Sequence, residues 1–135
     1  MRGQVALEYL LIAGFLLFFV AILIVYYKDF TRETGARVIV DASLNNFKRV
    51  ADSVYALGIP AKQVARVSIP ENVDSSRTRV DGTVLQISYY NINGGLVDAV
   101  RFFDYNLSGR FPNVTGNYEV VLTALNSAGV RVDYS

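Results

Sequence analysis

The hydrophobic positions near the start of the chain form one unbroken run. The 19 residues from Tyr9 to Tyr27 carry no charge, and Lys28 is the first charged residue after them. As an α-helix this run would span roughly 28 Å, close to the hydrocarbon thickness of a bilayer. Apolar side chains fill every side of that helix, so the sequence predicts a segment surrounded by lipid or by other apolar helices.

Two ordinary interpretations explain this run only in part. A secretory signal peptide has a shorter apolar core and a cleavage site of small residues after it, and no such site follows Tyr27. A plain transmembrane anchor fits the length, and Arg2 favours a cytoplasmic amino terminus with the bulk of the chain outside. Neither interpretation explains Glu8, because a carboxylate beside an apolar core costs free energy unless it is paired or lies among the lipid headgroups.

Past Lys28 the apolar run gives way to a stripe along one side of a polar helix. The spacing is four, three, four and three, which predicts a helix with one buried face. The stripe consists of Val40, Leu44, Phe47, Ala51 and Val54.

The end of this helix is predicted at Leu57-Gly58-Ile59-Pro60, because Gly58 can take the left-handed cap conformation and Pro60 cannot continue a helix. A continuous helix over residues 4–57 would be on the order of 80 Å long. Gly35 is the expected place for a break or bend, with two separate helices as the alternative. Glu33 and Arg37 form a candidate i to i+4 ion pair.

After Pro60 the hydrophobic pattern alternates with a period of two, which is typical of strands. The pairs Asp81-Gly82 and Asn93-Gly94 predict tight hairpin turns, and Asn126-Ser127-Ala128 predicts a third turn. We therefore expect an α+β fold, with the second half of the helix covering an antiparallel meander or small sandwich in a head of residues 60–135. The predicted strands are Val64–Ile69, Ser76–Val80, Thr83–Ile92, Leu96–Phe103, Tyr118–Leu125 and Gly129–Tyr134.

The segment Asp104–Gly116 is expected to form one long loop, and it contains two Asn-x-Ser/Thr triplets. Asn106 and Asn113 are therefore candidate N-glycosylation sites. About one such triplet would arise by chance in a chain of this composition, so their shared loop carries more weight than their number.

Composition argues against several classes of function. The 13 basic residues against 12 acidic ones leave a net charge of +1, which does not provide the basic face that nucleic-acid binding needs. Cysteine and histidine are absent from the sequence, and no calcium-binding or phosphate-binding motif is found. We therefore expect no catalytic residues, no cofactor and no metal.

The first residues resemble the class III signal peptide of archaeal type IV pilin-like proteins. In that family a short basic leader ending in Gly precedes Gln, and a Glu-Tyr/Phe-Leu-Leu sequence follows. This chain begins MRGQVALEYLLI, with Ala6 at a position where many relatives have Ser. The resemblance covers about the first 25 residues.

The resemblance implies that a prepilin peptidase removes residues 1–3 by cleaving between Gly3 and Gln4. Because the cut precedes the apolar run, the hydrophobic helix stays in the product. Glu8 would become the fifth residue of the mature chain, where it could pair with the new amino group at Gln4 of a neighbouring subunit. The alternative is that Glu8 simply lies in the headgroup region.

The function that the resemblance implies is that of a structural subunit in a surface filament. Its partners would be identical subunits, the prepilin peptidase, an assembly ATPase, a membrane platform protein and, before assembly, membrane lipid. The precursor would lie in the membrane with its head outside, and the filament would serve adhesion to surfaces or cells. Two alternatives remain at this point: a minor pilin-like subunit and a membrane-anchored exterior binding module.

Overall fold

The computed structural model describes residues 2–125 and 129–135, apart from the side chains of Arg2, Arg32 and Glu33. The predicted turn at Asn126-Ser127-Ala128 and the predicted pair between Glu33 and Arg37 therefore lie outside the described residues.

One long helix precedes a single five-stranded sheet, which confirms the predicted α+β fold. The chain divides into two compact units between Thr34 and Gly35. The elements are α1 (Arg2–Leu57), β1 (Lys62–Ile69), β2 (Arg79–Tyr90), β3 (Leu96–Gly109), β4 (Gly116–Leu125) and β5 (Gly129–Tyr134).

The second half of α1 packs on the sheet through the predicted stripe. Its five apolar residues, from Val40 to Val54, are all at most 1% exposed. Phe47 is the largest of them, and its ring meets those of Phe103 and Phe111 edge to face at centroid distances of 6.0 and 5.6 Å. This arrangement places the core of the second unit between one helix face and one sheet face.

The helix ends as predicted and continues where a break was expected. Gly58 has φ +67°, and its N–H donates to the carbonyl oxygen of Val54 at 3.1 Å, which is the left-handed cap that glycine allows. At Gly35, however, α1 continues without interruption, so the alternative of two separate helices is wrong. A single glycine costs a helix only about 1 kcal/mol, which is too little to end one this long.

The sheet has the strand order β1-β4-β5-β3-β2. Three of its four pairings are antiparallel, and the fourth, between β3 and β5, is parallel. The sheet is therefore mixed, and the expectation of an antiparallel meander or small sandwich is wrong for this one pairing. The reason is that β5 forms a hairpin with β4 and inserts between β4 and β3, a non-local placement that alternation along the chain does not reveal.

One of the two predicted Asx-Gly turns is a turn and the other is not. Asn93-Gly94 lies in the β2–β3 hairpin, where the Asn91 side chain accepts hydrogen bonds from the N–H groups of Asn93 and Gly95. Asp81-Gly82 lies inside β2, where the register shifts between Gly82 and Val84, so that prediction is wrong. Gly82 has φ +59°, and a bulge tolerates such a residue as well as a turn does.

The predicted strand Ser76–Val80 is also wrong for most of its length. Ser76 lies in a turn, where its N–H and its hydroxyl both donate to Asp74 Oδ1, at 3.0 and 2.6 Å. The surrounding segment, residues 70–78, covers part of the outer edge of β2: the Asp74 N–H donates to the Ser88 carbonyl at 2.7 Å. Local side-chain bonds of this kind compete with strand pairing.

β3 is longer than predicted and extends to Gly109, so the expected loop over Asp104–Gly116 is wrong in its first half. Residues 110–115 form the actual connection between β3 and β4. The two candidate glycosylation sites therefore do not share a loop, since Asn106 lies in β3 and Asn113 in this connection.

Candidate assembly surface

The apolar segment, Tyr9–Tyr27, is exposed on every side. All residues from 3 to 31 are exposed in the structure, and the large apolar side chains of this unit range from 42% exposed at Ile22 to 76% at Tyr26. The same helix therefore has two kinds of surface: a segment that is apolar all round and uncovered, and a stripe that is fully buried against the sheet. The uncovered segment is the candidate functional site of the chain.

The length and composition of this segment suit a bilayer. α1 contains a stretch that is long and apolar enough to cross a membrane. Tyr9 stands at one end of the segment, and Tyr26 and Tyr27 stand at the other, just before Lys28. Aromatic residues at both ends and a charged residue beyond them are typical of helices whose ends lie at the two membrane–water interfaces.

The predicted cleavage and register residues all lie at the beginning of α1. Gly3, Gln4 and Glu8 are helical and exposed. Gln4 and Glu8 are four residues apart and so lie on the same face of the helix, one turn from each other. Glu8 makes no hydrogen bond or ion pair with any side chain or backbone group that the structure describes, and its carboxylate is available to a group from another molecule.

Gly14 is the point on the apolar segment where another helix can approach most closely. A Cβ at Gly14 would meet no atom within 4 Å. Small residues of this kind let helix backbones pack tightly when no water is present to drive association.

The two candidate glycosylation sites have different surroundings. Asn106 is exposed, on the sheet face opposite to α1. Asn113 is half-buried, and its Nδ2 donates to the Ser75 carbonyl oxygen at 3.1 Å.

Two polar clusters that the sequence did not indicate join α1 to β3. The guanidinium of Arg101 donates to Asp41 at 3.3 Å and to Asn45 at 3.1 Å. These residues are separated by 56 to 60 positions in the sequence, so local pattern carries no signal for them.

The second cluster is built around Asp52. The Tyr105 hydroxyl donates a hydrogen bond to Asp52 Oδ1 at 2.7 Å, and the Lys48 ammonium forms an ion pair with Asp52 Oδ2 at 3.3 Å. Burial, together with the hydrogen bond to Asp52, raises the pKa of the Tyr105 hydroxyl, so Tyr105 remains a neutral donor. The Lys48 ammonium also lies 4.7 Å from the centre of the Phe103 ring. Both clusters hold the second half of α1 in place on the sheet.

No group of three or more acidic residues that could hold a metal ion occurs within the described ranges. No family model matches the chain, and neither a curated protein nor a solved structure matches it. The likeness to type IV pilin-like proteins therefore rests on the N-terminal residues, and it remains a prediction.

Proposed function

We propose that this chain is the structural subunit of an archaeal type IV pilus-like surface filament, which polymerises through the apolar segment. The observation that carries the proposal is the division of α1 into an apolar segment exposed on all sides and a stripe buried against the sheet. The stripe of such a helix packs against the sheet of the head. The apolar segment has no such partner, so we infer that other molecules surround it.

The need for a covering is energetic. Leaving the large side chains of the apolar segment in water would cost on the order of tens of kcal/mol. Lipid can cover the segment in the precursor, and the same segments of sister subunits can cover it after assembly. Because each subunit presents one surface to a different surface of the next, the contacts are heterologous and produce an open helical fibre.

Glu8 favours a covering by sister subunits over permanent residence in lipid. A carboxylate at the edge of the hydrocarbon is unfavourable without a partner. Cleavage before Gln4 would create an amino group on the same helix face, one turn or roughly 6 Å along the axis from Glu8 of its own chain. In a packed array the amino group of a neighbour can pair with Glu8, and misplacing either charge would leave it unpaired, so the pair would fix the register between subunits.

The proposal places the head outside the cell and the uncleaved amino terminus in the cytoplasm. Removal of residues 1–3 is assigned to a prepilin peptidase, and extraction from the membrane to an assembly ATPase with its platform protein. Adhesion to surfaces or cells is the proposed use of the filament.

The first test is mass spectrometry of the amino terminus of the protein sheared from its native host. We expect a start at Gln4 and recovery in the sedimenting, filamentous fraction. A start at Met1 or Arg2 in protein that stays in the membrane would contradict the proposal.

The role of Glu8 has a separate test in the Glu8→Gln variant. We expect this variant to be cleaved and inserted normally and to give at least tenfold less sheared filament, because the neutral amide cannot form an ion pair with an ammonium group. A loss of about 1.4 kcal/mol in the free energy of each subunit contact is enough for a tenfold effect. Glu71→Gln, which removes an exposed carboxylate from the head, is the matched control and should assemble normally. Normal filament yield from Glu8→Gln would rule out the pairing role.

A membrane-anchored exterior binding module is the second candidate, and the tyrosines at both ends of the apolar segment favour it. Such a protein would keep its amino terminus and resist shearing. The third candidate is a minor subunit of a filament made mainly of another protein. Its abundance in purified filaments distinguishes it from a major subunit, since it would be cleaved before Gln4 yet form only a small fraction of the filament.

A further inference from the structure

The head contains two chemically similar acceptor triplets that lie in different structural surroundings. Asn106-Leu107-Ser108 lies in β3, and Asn113-Val114-Thr115 lies in the connection between β3 and β4. We propose that Asn106 carries an N-linked glycan and that Asn113 has a structural role instead. The inference rests on the proposed function, because it requires the head to lie outside the cell.

The polar side chains of the Asn113 triplet are engaged in the fold. Asn113 Nδ2 donates to the Ser75 carbonyl oxygen at 3.1 Å, and the Thr115 hydroxyl donates to the Pro70 carbonyl oxygen at 3.0 Å. Both bonds tie the β3–β4 connection to segment 70–78, which covers the edge of β2. The neighbouring Pro112 is fully buried. Packing and hydrogen bonding therefore account for this triplet without any modification.

The polar side chains of the Asn106 triplet are not used by the fold. Strand alternation buries Tyr105 and Leu107 against α1 and turns Asn106 and Ser108 to the opposite face of the sheet, where both are exposed. Neither the Asn106 amide nor the Ser108 hydroxyl makes a hydrogen bond with the described part of the chain. A glycan could occupy this position without displacing an existing contact.

The strand β5 leaves room for a bulky group beside Asn106. Its pairing partner there is Gly129, so no side chain stands directly opposite Asn106 in β5. The close approach of the two strands also favours glycine at position 129, since a Cβ there would lie 2.9 Å from the Asn106 carbonyl oxygen. The result is an exposed amide with a glycine opposite it in β5.

The modification would be a group transfer from a lipid-linked oligosaccharide, catalysed by an oligosaccharyltransferase of the host. Asn106 Nδ2 forms a bond to C1 of the first sugar and loses one proton to a base of the transferase. The bond between C1 and the lipid phosphate oxygen breaks, and the lipid phosphate leaves with the electron pair. The acceptor triplet has to be reached before β3 pairs with β5, since it forms part of that strand in the folded head.

The test is glycopeptide mass spectrometry on protein purified from the surface of the native host, with four variants expressed in the same host. We expect added saccharide mass on the peptide that contains Asn106, and none on Asn113. Asn106→Gln and Ser108→Ala should each remove the added mass completely, while Asn113→Gln and Thr115→Ala should keep it. Asn113→Gln should also lower the melting temperature of the purified protein, because it breaks the bond to Ser75.

Two results would overturn the inference: an unmodified Asn106 in protein whose head is outside the cell, or added mass on Asn113 alone. Treating intact cells with a protease and sequencing the amino terminus in the same preparation separates this failure from that of the proposed function. A head protected from protease, or an uncleaved amino terminus, would count against the filament subunit itself. A cleaved, exposed and unmodified head would overturn only the glycan at Asn106.

Discussion

At the scale of single residues, Phe47 connects α1 to two parts of the head. It lies on α1, and its ring contacts Phe103 of β3 and Phe111 of the β3–β4 connection. It is fully buried, so truncating it would leave a cavity at the point where helix, strand and connection meet.

We predict that Phe47→Ala lowers the free energy of unfolding of the head by about 3–5 kcal/mol, the usual cost of such a truncation in a core. Chemical denaturation followed by circular dichroism measures this. Phe102→Ala is the matched control, because Phe102 is 71% exposed and its loss should change the free energy of unfolding by less than about 0.5 kcal/mol. Equal effects from the two variants would contradict the described packing.

A second prediction at this scale concerns pH. The side-chain hydrogen bond from Ser76, with help from Tyr90, lowers the pKa of Asp74. A carboxyl group whose pKa is depressed by folding contributes stability above its unfolded pKa of about 3.9, and the contribution disappears as the pH falls through the folded value. The difference in stability between wild type and Asp74→Asn should therefore be constant above about pH 5 and shrink below about pH 4.

Melting temperatures measured across this pH range provide the check. Ser76→Ala removes the strongest cause of the shift, so the pH dependence should be weaker in that background. A difference between wild type and Asp74→Asn that stays the same down to pH 2 would show that the charge of Asp74 is not involved.

At the scale of elements, one glycine inside α1 and one just after its end have opposite roles. Gly35 lies in the helix interior, and a Cβ there would meet nothing within 4 Å. Gly58 ends the helix with φ +67°, a conformation that other residues adopt only at a cost.

We therefore predict that Gly35→Ala stabilises the helix by about 0.5–1 kcal/mol, whereas Gly58→Ala destabilises the head by about 1–2 kcal/mol. Thermal unfolding of both variants in the same detergent measures the two effects. Destabilisation by Gly35→Ala would indicate that this position needs a conformation other than the helix described here.

The edge strand β1 is covered by polar side chains of α1. The Ser43 hydroxyl accepts from the Ser68 N–H at 2.9 Å and donates to the Ser68 carbonyl at 3.1 Å, and Asn46 Nδ2 donates to the Arg66 carbonyl at 3.1 Å. Exposed strand edges can pair with other chains, so these bonds limit unwanted association of the heads.

The elements also show how far sequence can predict this fold. The stripe from Val40 to Val54 was predicted in full, because a repeated spacing of three and four depends only on helix geometry. Asp81-Gly82 and Asn93-Gly94 have similar turn chemistry, yet only the second forms a turn. Both glycines have positive φ, and the pairing between β2 and β3 decides which one becomes a bulge. The polar contacts of Arg101 and Tyr105 with α1 depend on tertiary structure in the same way.

The candidate site also has parts that the sequence predicts and parts that depend on tertiary structure. The apolar segment and Glu8 are visible in the sequence because each departs from a simple local pattern. The difference between Asn106 and Asn113 is not visible there, since both triplets satisfy the same rule. It depends on which amide reaches a carbonyl of segment 70–78, and only the folded head determines that.

At the scale of the whole molecule, every buried core residue of the described chain falls between Val40 and Val132, inside the second unit. The first unit contributes none. A chain that starts at Gly35 would therefore keep the entire core while losing the apolar segment.

We predict that residues 35–135 form a monomer that is soluble without detergent and unfolds in one cooperative transition. Analytical ultracentrifugation and thermal unfolding measure this, with the full-length chain as the comparison that requires detergent. Loss of cooperative unfolding in the truncated chain would show that the head depends on the apolar segment.

The position of β5 sets an order of events in biosynthesis. β1 pairs with β4, β2 pairs with β3, and β5 alone joins the two halves of the sheet, although it is the last strand to be made. Until residues 129–134 emerge, the inner edges of β3 and β4 have no neighbour. At an elongation rate of about 5–20 residues per second, Asn106 then lies on an open edge for on the order of a second. If Asn106 is modified as we propose, the time available to the transferase is set by the rate of synthesis rather than by the stability of the head.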